Sequence, residues 1–116
     1  MFVRIVHHWC KPEHIENGRR HIDGVGTAAA CAPGFLFRFR MENPEEPLLL
    51  TTFTAWADRG AFGSFQNSQL PSSPSASADF FERTQDQVFD VAATAGRVPT
   101  AMEIREHEAT GTTARR

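Results

Sequence analysis

Tyrosine is absent from the chain and cysteine occurs only twice, against ten phenylalanines and two tryptophans. Without a phenol side chain, any chemistry on an aromatic ligand has to draw its acids and bases from elsewhere, although the phenylalanines can wall a pocket. Cys10 and Cys31 lie at no metal-like spacing and follow no secretion signal, so both are expected as buried free thiols rather than a disulfide. The chain has no run of ~20 apolar residues and no basic leader ahead of an apolar stretch, which predicts a cytoplasmic protein without a membrane partner. A formal charge of −2, with acids and bases interspersed, provides no extended positive field, and nucleic acid is therefore not an expected partner.

What is present is an ordinary globular composition, 41% hydrophobic and 22% charged over 116 residues, enough for one core and one domain. The reading places that domain at residues 1–108 and a disordered tail at Ala109 to Arg116.

Phe2 to Cys10 is rich in β-branched and aromatic residues and predicts a first strand, stopped by Lys11-Pro12 because proline cannot donate to a sheet ladder. Pro12 suits the start of a helix whose apolar stripe is Ile15, Ile22, Val25 and Ala29, ending before Pro33-Gly34. Gly18, Gly24 and Gly26 each cost about 1 kcal/mol in a helix interior, so this helix is expected to kink or to meet a close neighbour. Phe35, Phe37 and Phe39 alternate with Leu36, Arg38 and Arg40, predicting a second strand with an apolar and a basic face. Asn43-Pro44-Glu45-Glu46-Pro47 is turn chemistry, and Leu48 to Trp56 predicts an interior strand apolar on both parities.

Asp58 is placed to cap a short helix carrying Phe62 and Phe65. Pro71 to Ser77 reads as a loop or lid. From Ala78 the stripe Phe81, Val88, Ala92 and Ala95 predicts a second main helix, with Gly96 as its left-handed C′ residue, and Thr100 to Glu108 a last strand. The resulting class is α+β, a ferredoxin-like βαββαβ domain with an antiparallel sheet. Helices cover one face of such a sheet, and the apolar residues left on the other predict a second copy stacked against it.

The strand ending in Lys11-Pro12, the Ala32-Pro33-Gly34-Phe35 lead-in to the second strand, and Trp56-Ala57-Asp58 followed by Ala61-Phe62 resemble the antibiotic biosynthesis monooxygenase family over residues 1–108. The resemblance implies a homodimeric α+β barrel with a pocket between sheet and helices in each subunit. Family members include cofactor-independent oxygenases of aromatic polyketides and heme-degrading enzymes. The Asn, Trp and His of the heme-degrading members fall here near Ile5, on Phe65, and in a stretch between His21 and His107 that holds no histidine, so heme degradation has no residue-level support.

Cofactor-free oxygenation makes the substrate its own reductant, and the protein must supply a base and donors for the resulting anion. His7 and His8 are adjacent on a predicted strand, so one of them faces the helices, and the family alignment favours His7 as the base. Trp56 offers an indole donor, Arg38 a cation, and Thr52 and Thr54 hydroxyls on the same parity as Trp56; Phe65 completes the substrate-binding set.

Each of these residues has a plain structural reading beside the functional one: an interior histidine, a core tryptophan, a solvated strand arginine, strand threonines. The expected function is a cofactor-independent monooxygenase acting on a small aromatic or quinol-type molecule, with no cofactor and no metal. Two alternatives stay open: a non-catalytic homodimeric small-molecule binder, and a metal site built from His7, His8 and His107.

Overall fold

A computed structural model describes residues 1–69 and 79–97. The β-branched and aromatic run forms strand β1, Phe2–Cys10, and Pro12 opens a single 3-10 turn, Pro12–His14, that leads into helix α1, Ile15–Ala30. Proline has no N–H to leave unpaired and its fixed φ suits a first helical position. Gly34, at φ 84°, reverses the chain into β2, Phe35–Asn43. Its Cβ position lies 2.4 Å from that of Ala61, so only glycine lets the following helix pack here. Asn43 closes the next hairpin by accepting the Glu45 N–H on its side chain at 3.0 Å, and β3, Glu46–Trp56, returns along β2. The Asp58 side chain caps α2, Arg59–Gln69, by accepting the Ala61 N–H at 2.8 Å, as the sequence predicts.

The segment expected to be the second main helix is instead a strand, β4, Phe81–Asp90. It pairs antiparallel with the whole of β1, from Phe2 opposite Asp90 to Cys10 opposite Phe81. Phe81 and Val88 are seven residues apart with only polar residues between them, too sparse a stripe to bury a helix, whereas an edge strand tolerates the exposed run from Glu82 to Gln87. β1 also needs a partner on this side for its backbone groups. Gly96 does take a positive φ, 74°, but after a strand rather than at a helix end. The short Asp58-capped helix is therefore the second helix of the fold. The loop expected at Pro71 to Ser77, the strand expected at Thr100 to Glu108 and the tail expected from Ala109 fall outside the described residues.

Element order is thus βαββαβ after all, and the antiparallel sheet runs β2-β3-β1-β4, the ferredoxin-like arrangement. Helices α1 and α2 lie on one face of it. Two apolar clusters anchor them there: Cys10, Ile22, Leu50 and Phe81 at one end, and Phe2, Ala29 and Trp56 at the other. Gly18 gives α1 its close approach, since a Cβ there stands 3.0 Å from both Cys10 Sγ and the Phe81 ring. The close neighbour anticipated for the glycine-rich helix is thus the sheet itself.

The three phenylalanines of β2 do not share a face. A register shift between Phe35 and Phe37 turns Phe35 inward against Trp56, exposes Leu36, and sends Phe37 and Phe39 to the opposite face, where they stack with Phe53. Cys31, expected buried, is exposed at the end of α1, while Cys10 is a buried thiol whose pKa is raised by that burial.

Candidate functional site

Between the two apolar clusters the helix-covered face turns polar. Antiparallel pairing sets Arg4 against Thr54, Val6 against Thr52 and His8 against Leu50, and on the next strand Arg38 and Arg40 against Thr54 and Thr52. Cross-strand partners share a face, so Arg4, His8, Arg38, Thr52 and Thr54 all look toward α1. With His21 and Ile22 of α1 and Asp86 of β4 they wall a cavity of about 220 Å³.

Arg38 crosses the space beneath α1. Its Nη2 donates to the Ile22 carbonyl at 3.0 Å and its Nη1 to Thr54 Oγ1 at 3.3 Å. The side chain passes against Gly26, whose Cβ position is 3.0 Å from Arg38 Nε, which gives this second helix glycine a packing role. Burial lowers the Arg38 pKa to about 10; Arg4 adds to the shift and Asp23 opposes it. Arg4 reaches across to Asp86, its Nε 3.0 Å from both carboxylate oxygens.

His8 has Nδ1 3.1 Å from the Leu50 carbonyl oxygen. A carbonyl only accepts, so Nδ1 carries the proton and Nε2 keeps its lone pair. Burial is the largest cause holding its pKa down to about 4; the Leu50 contact pulls the other way, and Arg38, Arg4 and His21 push further down. His21 is lowered too, by burial and then by Arg38. At neutral pH the site therefore contains a histidine base without a proton on Nε2, and two guanidinium groups.

The structure divides the sequence-derived site residues. Arg38, Thr52 and Thr54 come together at the cavity. Trp56 and Phe65 meet each other instead, ring centroids 5.3 Å apart, in the apolar end cluster. Trp56 is 1% exposed and its Nε1 has no hydrogen-bond acceptor among the described residues. A larger cavity of about 600 Å³ runs beside Phe65 between the end of α1 and α2. Among the described residues its one acidic wall residue, Asp58, is already occupied as the α2 cap, and the wall brings no histidine, lysine or arginine to act as a base or cation.

His7 faces away from the helices, its Nδ1 2.8 Å from Thr51 Oγ1 on the other side of the sheet. The placement expected for His7 belongs to His8, because Phe2 and Trp56 pair at the helix-covered end and fix the even-numbered residues of β1 inward. Sitting on opposite faces, His7 and His8 cannot share a metal ion, and His107 lies outside the described residues. Among the described residues no three His, Cys, Asp or Glu side chains cluster as metal ligands, and no helix is long and apolar enough to cross a membrane.

Arg4, His21 and Asp86 are the site residues that sequence reasoning missed, and His8 it set beside His7 without choosing it. Arg4 shares its parity with His8 and was legible to that extent; Asp86 was hidden by its assignment to a helix.

No family profile and no curated protein matches the chain. Solved structures do. A Nitrosomonas europaea protein assigned as an antibiotic biosynthesis monooxygenase superposes with a TM-score of 0.70 at 15% identity, covering 80% of this chain and 100% of its own. The fold is that of the antibiotic biosynthesis monooxygenases. SnoaB, a cofactor-independent oxygenase from Streptomyces nogalater, gives 0.69 at 15% identity, over 83% of this chain and 98% of its own. A second Nitrosomonas europaea protein, of unknown function, gives 0.64 at 12% identity, over 84% and 95%. At such identities the likeness carries the fold; chemistry has to be argued from the site.

Proposed function

We propose that this protein is a cofactor-independent monooxygenase of small hydroxylated aromatic molecules, with His8 in the role first expected of His7. The observation that carries this reading is the contact of His8 Nδ1 with the Leu50 carbonyl, which leaves Nε2 as the basic nitrogen of a residue that lines the same cavity as Arg38, Thr52 and Thr54. His8 takes a phenolic proton, the Arg38 guanidinium holds the phenolate, and the electron-rich ring reacts with dioxygen. For a dihydroxyarene, one oxygen atom enters the ring as a new carbon–oxygen bond and the other leaves as water. The ring gives up four electrons to become a hydroxyquinone, and dioxygen accepts all four, so no external reductant enters.

The low basicity of His8 favours a second reading, a binder without turnover, because a general base works best with a pKa near the operating pH. Arg38 counters this by stabilising the phenolate and so lowering the pKa of the proton donor. Oxygen uptake and ¹⁸O incorporation with a panel of dihydroxyarenes and anthrones separate the two. The oxygenase reading expects uptake that falls about 10²- to 10⁴-fold in His8→Asn, which keeps a donor toward Leu50, and little change in His7→Ala. Ligand binding without uptake in the wild type establishes the binder instead.

The reading includes a homodimer. Phe37, Phe39 and Phe53 stack on the sheet face that carries neither α1 nor α2, and Met41 and Phe89 on that face are 39% and 47% exposed. A second copy laid on this face covers an apolar surface that water otherwise meets.

A further inference from the structure

The charges around the cavity do not balance. Asp86 neutralises Arg4 through a bidentate pair, but Arg38 has no carboxylate at ion-pair distance among the described residues. Asp23, the acid that acts on Arg38 from α1, is committed to Arg40, which it meets at 3.0 and 3.2 Å. Glu42, on the far side, is held by Arg19 and Arg40.

Arg38 is a half-buried side chain, and its protein acceptors, the Ile22 carbonyl and the Thr54 hydroxyl, are both neutral. These use two of the five N–H donors that a guanidinium carries. The two histidines beside it, His8 and His21, add no charge at neutral pH. A desolvated cation whose counter-ion is missing is costly, and a planar carboxylate is the group whose geometry matches a guanidinium fork.

We propose that the natural ligand of this cavity is an aromatic carboxylate with a hydroxyl on the adjacent ring carbon, its carboxylate and that phenolic oxygen both held by the free N–H groups of Arg38 while the hydroxyl proton faces His8. This deepens the oxygenase reading and rests on it for the hydroxyl, while the carboxylate contact stands on the charge arrangement alone. Gly26 leaves room for Arg38: a Cβ there would stand 3.0 Å from Arg38 Nε and 3.2 Å from its Cδ, so the side chain would have to shift by a few tenths of an ångström.

The probes are 2,5-dihydroxybenzoate and its methyl ester, titrated calorimetrically into the full chain without oxygen, with the His8 ring followed by NMR. The acid is expected to bind at least tenfold more tightly than the ester, with a gap that narrows as salt is added and closes to under threefold in Arg38→Gln. A bound carboxylate is also expected to raise the His8 pKa above its value in the free protein, and the ester to leave it in place. This wild-type comparison stands even where Arg38→Gln fails to fold. Equal affinity for acid and ester, or acid binding that leaves His8 unmoved, overturns the carboxylate assignment. Oxygen uptake is then measured separately: an acid that binds selectively but is never oxidised removes the oxygenase reading and keeps this one. An ester oxidised and bound as well as the acid does the reverse.

Discussion

His8 donates its Nδ1–H to the carbonyl of Leu50, the residue directly opposite it on β3, at 3.1 Å. One contact fixes the ring, the tautomer and the direction of the basic nitrogen. It also ties the site to the core, because Leu50 is fully buried against Cys10, Ile22 and Phe81.

A pH dependence follows from this pair. The folded pKa of His8, about 4, lies below its ordinary 6.5, so between those values the unfolded chain binds the proton that the folded chain refuses. Stability from this group is therefore complete above pH 6.5 and is lost as pH falls toward 4, by up to about 3 kcal/mol. The denaturant midpoint of the wild type, measured from pH 7.5 to 4, should fall relative to that of His8→Asn on acidification; parallel curves refute the assignment. If His8 is the base, kcat/KM stays level through neutrality and falls only near pH 4.

Two glycines of the same helix should respond to alanine with opposite signs. Nothing lies within 4 Å of a Cβ at Gly24, so Gly24→Ala gains the helix-propensity difference, about 0.5–1 kcal/mol. At Gly18 the new methyl meets Cys10 and Phe81 at 3.0 Å, and overpacking of about 1–3 kcal/mol exceeds that gain. Urea melts of the two variants read both signs, and a stabilised Gly18→Ala contradicts the close packing of α1 on the sheet.

The sheet face opposite α1 and α2 is predicted to join two copies. Met41→Lys combined with Phe89→Lys places charges on exposed positions of that face and should give a folded monomer by light scattering, with the wild type a dimer at micromolar concentration. A wild-type monomer, or a double variant that stays dimeric, rules out this interface.

The first strand, the Pro12 start, the Asp58 cap and the hairpin at Asn43 were all determined by local chemistry: a missing N–H, a side chain bonding the nearby backbone, a period of two. Parity along a strand is equally local, which is why the sequence by itself groups Thr52 and Thr54 on one face and marks Arg38 as their possible companion. The tertiary structure decided which parity of β1 faces inward, because that depends on Phe2 meeting Trp56 across the sheet, a contact between residues 54 positions apart. The same single step moved the site from His7 to His8. It also decided that Phe81–Asp90 is a strand: its own residues bury too little to choose, and the open edge of β1 chose for them.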